Sequence, residues 1–297
     1  KGVGHYLPDR IVENSEFEKT LETSDEWIRS RSGIERRHLA AEGQTTSEMA
    51  TAASQAALTD AKLTAQDLDA VIVATSTADL TFPSAATMVQ HALGMTKGYA
   101  FDVQAVCAGF VFALSNANAL IVSGQAKRVL VIGAETFSRI MDWTDRGTCV
   151  LFGDGAGALI LEAEDGDGTN ADRGILSVDL NSDGSQRDIL YVDGGVSTQS
   201  TGYLRMQGKE VFRHAVEKLA KTAETALDKI GMSGDNVDWI VPHQANLRII
   251  TKTAQKMGVP MDRVVVTVQD HGNTSAASIP LALSVGKARG QISRGDL

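Results

Sequence analysis

The chain has 297 residues, of which 43% are hydrophobic and 22% charged, and its formal net charge is -9. This composition excludes a disordered chain, and the acidic balance argues against nucleic acid as a general partner, because nonspecific phosphate contact needs a basic surface. No apolar run reaches membrane-spanning length, and the first residues, KGVGHYLPDR, lack the basic start and apolar core of a signal peptide, so the expectation is a cytosolic protein with no membrane partner.

Strand-like and helix-like segments alternate through most of the sequence, which predicts a layered α/β fold. The stretch TSEMATAASQAALTDA reads as a helix, DAVIVATS as a buried strand, TMVQHALG as a second helix and GYAFDV as another strand. There follows DVQAVCAGF, then GFVFALSNANALIVSG, whose length and apolar spacing predict a buried helix closed by Gly124. Cys107 therefore falls where a strand turns into a helix. Ala105, Ala108 and Gly109 are small enough for so crowded a turn, and the helix N-terminus would favour a thiolate. A nucleophile and a buried structural cysteine both remain open on this stretch alone.

Next come the strand RVLVIGAE and the segment TCVLFG, where Cys149 reads as strand core. Two cysteines so far apart give neither a disulfide framework nor a zinc motif, and no metal site is expected. FGDGAGALILEAE offers glycines but is followed by a β-branched strand, not by the helix that a dinucleotide fingerprint requires, so it reads as a structural turn. The Gly/Asp-rich EDGDGTNADRG, Glu164 to Gly174, marks a boundary between halves at 1–164 and 165–297.

The two halves repeat one outline. VDWIVPHQA, LRIITKTAQKMG, RVVVTVQDHG and the helix TSAASIPLALSVGKARG follow the order of the first half, and Cys107 to Gly124 spans the same distance as Asn273 to Gly290. By this internal alignment Asn273 takes the position of Cys107. The first half carries a further strand after GQAKRVLVIG whereas the second stops at Leu297, so the expectation is a missing C-terminal strand and a clipped first strand at Lys1. Cys107, His243 in VPHQAN and Asn273 in HGNTSAAS each follow an apolar segment and precede a helix, which predicts convergence on one crevice. A thiol needs a positioned base or cation, and neutral histidine or asparagine can donate to a developing oxyanion. His271 rivals His243, and Asn273 also suits a plain turn.

Together AVCAGF, VPHQANLRI, DHGNTSAAS, TSDEWI, TDRGT and LFGDGAGA resemble the β-ketoacyl-acyl-carrier-protein synthase III family, from YLPDR to SRGDL. The resemblance implies a thiolase-like fold, two duplicated halves in an α-β-α-β-α sandwich, and a homodimer. It implies an acyltransferase that opens type II fatty-acid synthesis without a cofactor, acyl-coenzyme A being a substrate. Cys107 would take the acyl group, and malonyl-acyl-carrier protein would lose carbon dioxide and condense with it. His243 and Asn273 match the pair that binds the malonyl thioester oxygen; chain-elongating ketosynthases have histidine in place of Asn273, and thiolases a second cysteine. The Cys107 amide would form half of an oxyanion hole whose other half, in this family, lies on a glycine-rich turn that this sequence lacks. Trp27 and Arg146 match an adenine clamp, Arg31 a phosphate contact, Asn246 a pantetheine contact, and Phe82 a ring lent to the partner subunit's acyl pocket. Arg248, Lys252 and Lys256 recur every four residues, with Arg213, preceded by Lys209, extending a basic stripe suited to an acidic carrier protein.

Overall fold

A computed structural model describes residues 1–297. In chain order it places β1 (Gly2–Tyr6), β2 (Arg10–Glu13), α1 (Asn14–Phe17), α2 (Asp25–Ser32), β3 (Arg36–Leu39), α3 (Thr46–Ala61), β4 (Ala70–Ala74), α4 (Ala85–Ala92), β5 (Tyr99–Val103), α5 (Gly109–Val122), β6 (Arg128–Glu135) and β7 (Gly155–Glu162). Then follow β8 (Leu190–Val192), β9 (Leu204–Met206), α6 (Gly208–Asp228), α7 (Leu247–Lys256), α8 (Val268–His271) and α9 (Ser278–Ala288). No helix is long and apolar enough to cross a membrane.

The central sheet has the order β1-β7-β6-β4-β5. β5, β4 and β6 run parallel, and β7 and β1 are antiparallel to their neighbours. Every residue of β4, AVIVA, is buried, as expected of a parallel strand covered on both faces. One face packs against α3 and α4 through Met49, Ala53, Ala57, Val71 and Val89; the other packs against α5 through Ile72, Phe110 and Ala113. α9 lies on β7, where a Cβ at Gly157 would stand 2.5 Å from the Leu281 amide nitrogen. At Gly133 of β6 a Cβ would fall onto the Ala276 carbonyl oxygen. The glycine thus lets the turn Ser275–Ala277 lie directly on the end of β6, and that contact shapes the site.

The second half is less regular than its sequence suggests. VDWIVPHQA and RVVVTVQDHG meet in one isolated parallel bridge, Ile240 to Val264, and Val268–His271 coils into a helical turn. Gln244, only 1% exposed, draws these segments together instead: its Nε2 donates to the Pro242 and Val265 carbonyls, and its Oε1 accepts from the Thr267 and Val268 amides. A side-chain amide takes the place of a ladder.

Cys149 is buried, but TCVLFG is not a strand. Asp145 takes the Gly147 amide and the Thr148 hydroxyl, which winds the segment into a turn, and only Phe152 bridges onward, to Asn273. GAGALILE, by contrast, is the expected strand, β7. Glu164 to Gly174 forms a mostly exposed turn region after it.

Candidate active site

β5 ends at Val103, and the chain makes one 3-10 turn, Val106–Ala108, before entering α5 at Gly109. Cys107 sits on that turn. Small neighbours are needed, since a Cβ on Gly109 would lie 3.2 Å from the Ala74 Cβ and 3.6 Å from that of Ala276. Val106 takes a left-handed backbone, φ 48°, which is costly for a β-branched residue and typical of sites where a turn must present a particular side chain. The helix N-terminus at Cys107 favours negative charge. Burial, however, pushes the thiol up to about 11 and outweighs the other influences, so the resting group is a thiol and not the thiolate expected from the dipole. Cys107 is deeply embedded yet keeps an open side, where it meets the cavity.

That cavity, about 3340 Å³, is lined by Cys107, His243 and Asn273 together. His243 stands in the loop held by Gln244. Burial lowers its pKa to about 4, so the ring is neutral at physiological pH, and its Nδ1 has no protein partner. Asn273, 7% exposed, is fixed through its backbone, which donates to the Leu151 carbonyl and accepts from the Gly153 amide. Its Oδ1 accepts from the Ser275 amide at 2.9 Å. That bond leaves the Nδ2 group as the free donor of a cavity-lining side chain. His271 is excluded on position: it is 6% exposed, packs edge-on to His38 at 6.3 Å and does not line the cavity.

Of the residues matched to coenzyme A, Trp27, Arg31 and Asn246 line the same cavity, while Arg146 does not line it and reaches it only through its stack on Trp27. Trp27 rides on α2, whose first turn is capped by Ser24. The guanidinium centres of Arg31 and Arg146 lie 4.7 and 4.9 Å from its indole centroid, so both cations already stack on the ring, and Arg146 also donates to the Glu22 carbonyl. Asn246 caps α7: its Oδ1 accepts from the Arg248 amide and its Nδ2 donates to the Arg31 carbonyl, tying the clamp to the His243 loop. Phe82 is 82% exposed and is not among the residues lining this chain's own cavity.

Arg248, Lys252 and Lys256 are exposed along one side of α7, and neither lysine has an ion-pair partner. Arg248 stacks over Phe212 of α6 at 5.2 Å, which sets α6 beside the stripe. Arg213 on α6 is half spent, paired with Glu210 at 2.8 Å.

Glu135 and Ser275 are two residues near the nucleophile that sequence reasoning missed. The signal was available in RVLVIGAE, where an acid closes an otherwise apolar buried strand.

Two profiles of one family match the chain: 3-oxoacyl-[acyl-carrier-protein (ACP)] synthase III over residues 101–184, and its C-terminal counterpart over 227–297. A β-ketoacyl-[acyl-carrier-protein] synthase III from Ruegeria pomeroyi is 81% identical over 297 residues, covering 100% of this chain and 92% of that relative. Among solved structures, the 3-oxoacyl-[acyl-carrier-protein] synthase III of Aquifex aeolicus superposes with a TM-score of 0.93 at 44% identity, covering 100% of this chain and 92% of its own. The Pseudomonas aeruginosa structure of the same description gives 0.92 at 40%, covering 99% and 90%.

Proposed function

Because this chain belongs to the 3-oxoacyl-[acyl-carrier-protein] synthase III family, we propose that its cavity carries out the initiating condensation of type II fatty-acid synthesis, as an acyltransferase with Cys107 as the acyl acceptor. The observation that carries this reading is that Cys107, His243 and Asn273 all line one cavity, a thiol and two uncharged potential donors opening on the same space.

The Cys107 sulfur attacks the carbonyl of an acyl-coenzyme A, the bond to the coenzyme A sulfur breaks, and the free thiol leaves. Malonyl-acyl-carrier protein then binds. Its carbon–carbon bond to the carboxylate breaks, carbon dioxide departs, and the electron pair moves toward the thioester oxygen. His243 and the Asn273 Nδ2 donate to that oxygen as its charge grows, which stabilises the transition state more than the ground state. The carbanion attacks the Cys107 thioester, expelling the thiolate and giving the β-ketoacyl product. Decarboxylation itself generates the nucleophile, so the scheme calls on no cofactor.

The nucleophile comes from the half spanning 1–164 and both donors from 165–297. Trp27 and Arg146 would hold the adenine, Arg31 a phosphate and Asn246 the pantetheine arm. Lys252, Lys256 and Arg248, with Arg213 beside them, would steer an acidic carrier protein despite the net charge of -9. The exposed Phe82 ring suits a homodimer in which each subunit supplies it to the other's acyl pocket. A reduced thiol working with coenzyme A fits the cytosol.

The test is intact mass after incubation with acetyl-coenzyme A and longer acyl-coenzyme A thioesters, beside Cys107→Ala. An acyl adduct that the substitution abolishes, and a β-ketoacyl product once malonyl-acyl-carrier protein is added, support the reading. A free acid as the only product, or no adduct from any thioester, refutes it.

A further inference from the structure

Acylation begins with a proton on Cys107, and the donors that serve decarboxylation do not account for where it goes. His243 and Asn273 act on the malonyl oxygen. Near the cysteine lies a buried carboxyl group that does not itself line the cavity and that the scheme leaves idle.

Glu135 is the last residue of β6 and is 0% exposed. No lysine, arginine or histidine pairs with it. It accepts from the Thr77 hydroxyl at 2.5 Å and from the Ser76 amide at 3.1 and 3.2 Å, with the Thr75 hydroxyl at 3.4 Å. A buried carboxyl without a cation is expensive to keep, so its retention needs a reason. Its remaining neighbours supply one. The Ser275 hydroxyl is buried without a hydrogen-bond partner, on a turn that packs against both the end of β6, where Glu135 stands, and the turn that carries Cys107, and it favours the charged form of both groups. Ser275 holds that place through a left-handed backbone, φ 49°, an uncommon conformation for serine. Gly133 permits the approach, as the turn Ser275–Ala277 rests directly on β6.

From this geometry we infer that Ser275 and Glu135 form a proton relay near the nucleophile: as the Cys107 sulfur attacks the acyl-coenzyme A carbonyl, its proton passes to Ser275 Oγ while the Ser275 proton passes to Glu135. The sulfur–carbon bond forms, the carbonyl pair becomes an oxyanion, and the carboxylate becomes a carboxylic acid. When the tetrahedral species collapses, the bond to the coenzyme A sulfur breaks and the leaving thiolate takes a proton from solvent. When the condensation later expels the Cys107 thiolate, Glu135 returns its proton through Ser275 to that sulfur, which restores the resting thiol and the carboxylate for the next cycle. This inference rests on Cys107 being the acyl acceptor. Glu135 and Ser275 touch no substrate; they are positioning residues acting through Cys107.

Burial raises the Glu135 carboxyl to about 7, which suits a proton acceptor near neutral pH. The ionisable group against it is the Cys107 thiol. From the surrounding elements, Asp79 is taken up by Ser47, Asp102 by the Ala85 and Ala86 amides, and Asp154 by Ala40 and Ser138, while His243 across the cavity is neutral.

The test follows acylation of Cys107 by acetyl-coenzyme A with quenched-flow intact mass from pH 5.5 to 9, in the wild type, Glu135→Gln and Ser275→Ala. Ser275→Ala keeps the amide that orients Asn273 and leaves the Thr77 and Ser76 bonds to Glu135 in place, so it decides the matter even if Glu135→Gln does not fold. The expected wild-type rate rises with pH and levels off above about 7. Each variant should be slowed roughly 10- to 100-fold near pH 7.5, and its rate should keep climbing toward the thiol's own titration. Wild-type rates in both variants, slowing that leaves the inflection near 7 in place, or slowing in Glu135→Gln but not in Ser275→Ala would each overturn the relay. Absence of any wild-type adduct would instead remove the acyl-acceptor reading, and the relay with it.

Discussion

Asn273→Asp separates the two half-reactions. The new side chain is isosteric, and its Oδ1 can still accept from the Ser275 amide, the bond measured at 2.9 Å. The amide donor becomes an acceptor, or a carboxylate, beside the oxygen on which charge develops. Losing one such donor costs roughly 10²–10³ in rate, about 3–4 kcal/mol, and a like charge in a site this buried adds to that. Condensation with malonyl-acyl-carrier protein should therefore fall by at least about 10³ at pH 8. Burial also raises the pKa of the introduced carboxyl, so that a protonated fraction, able to donate again, grows as the pH falls. The deficit should shrink between pH 8 and pH 6. Acylation by acetyl-coenzyme A, which makes no use of this donor, should lose much less. Parallel assays of adduct formation and of carbon dioxide release read both steps. Equal losses in both, or a deficit independent of pH, would show that Asn273 does not act on the malonyl oxygen.

Three further expectations follow from the packing and charge. Gly133→Ala drives a Cβ into the Ala276 carbonyl, displacing the turn that carries Ser275; stability should drop by roughly 1–3 kcal/mol in urea unfolding, with acylation slowed beyond what the stability loss explains. Replacing Lys252 and Lys256 together by glutamate should raise the KM for malonyl-acyl-carrier protein several-fold and weaken its salt dependence, leaving acylation by acetyl-coenzyme A unchanged. His271, with its pKa lowered to about 3 by burial, is neutral when folded and must gain a proton on unfolding below 6.5. Stability should thus fall with pH from about 6.5 toward 3, by up to about 1.4 kcal/mol per unit from this group. Glu135, raised to about 7, acts in the opposite sense between 4.5 and 7. Acid titration of His271→Asn, followed by circular dichroism, should show a shallower loss.

The first half was legible because its signals are local. Apolar β4 and β6, the long α5 and its closing Gly124, with φ 76°, all follow from periodicity and from one residue's freedom to turn left. That Cys107, His243 and Asn273 would meet at one cavity was also legible, since each stands at the end of an apolar run. What stayed hidden depends on contacts distant in sequence. RVVVTVQDHG has the composition of a strand, yet Gln244, more than twenty residues earlier, takes the amides of Thr267 and Val268. TCVLFG is equally strand-like and is coiled by Asp145. The thiol's resting protonation was misjudged from the helix dipole because the sequence does not reveal how deeply the turn is embedded. Ser275 was read only as part of a helix start, and nothing in its own surroundings announces Glu135, 140 positions away in the chain.

In the proposed scheme the charge state of His243 and Asn273 bears on how this cavity would permit decarboxylation. A cation beside the malonyl group would pair with its carboxylate, stabilising the ground state that the reaction must leave. His243, held neutral with a pKa near 4, and Asn273 offer no such pairing. In the proposed scheme each would give a directed N–H whose interaction strengthens only as charge moves from the carboxylate to the thioester oxygen. Burial, the same cause that keeps the Cys107 thiol protonated, keeps His243 uncharged. On the proposed scheme one environment would favour decarboxylation and hinder thiolate formation, and a separate buried acceptor near Cys107 would resolve that conflict without placing a charge in the cavity.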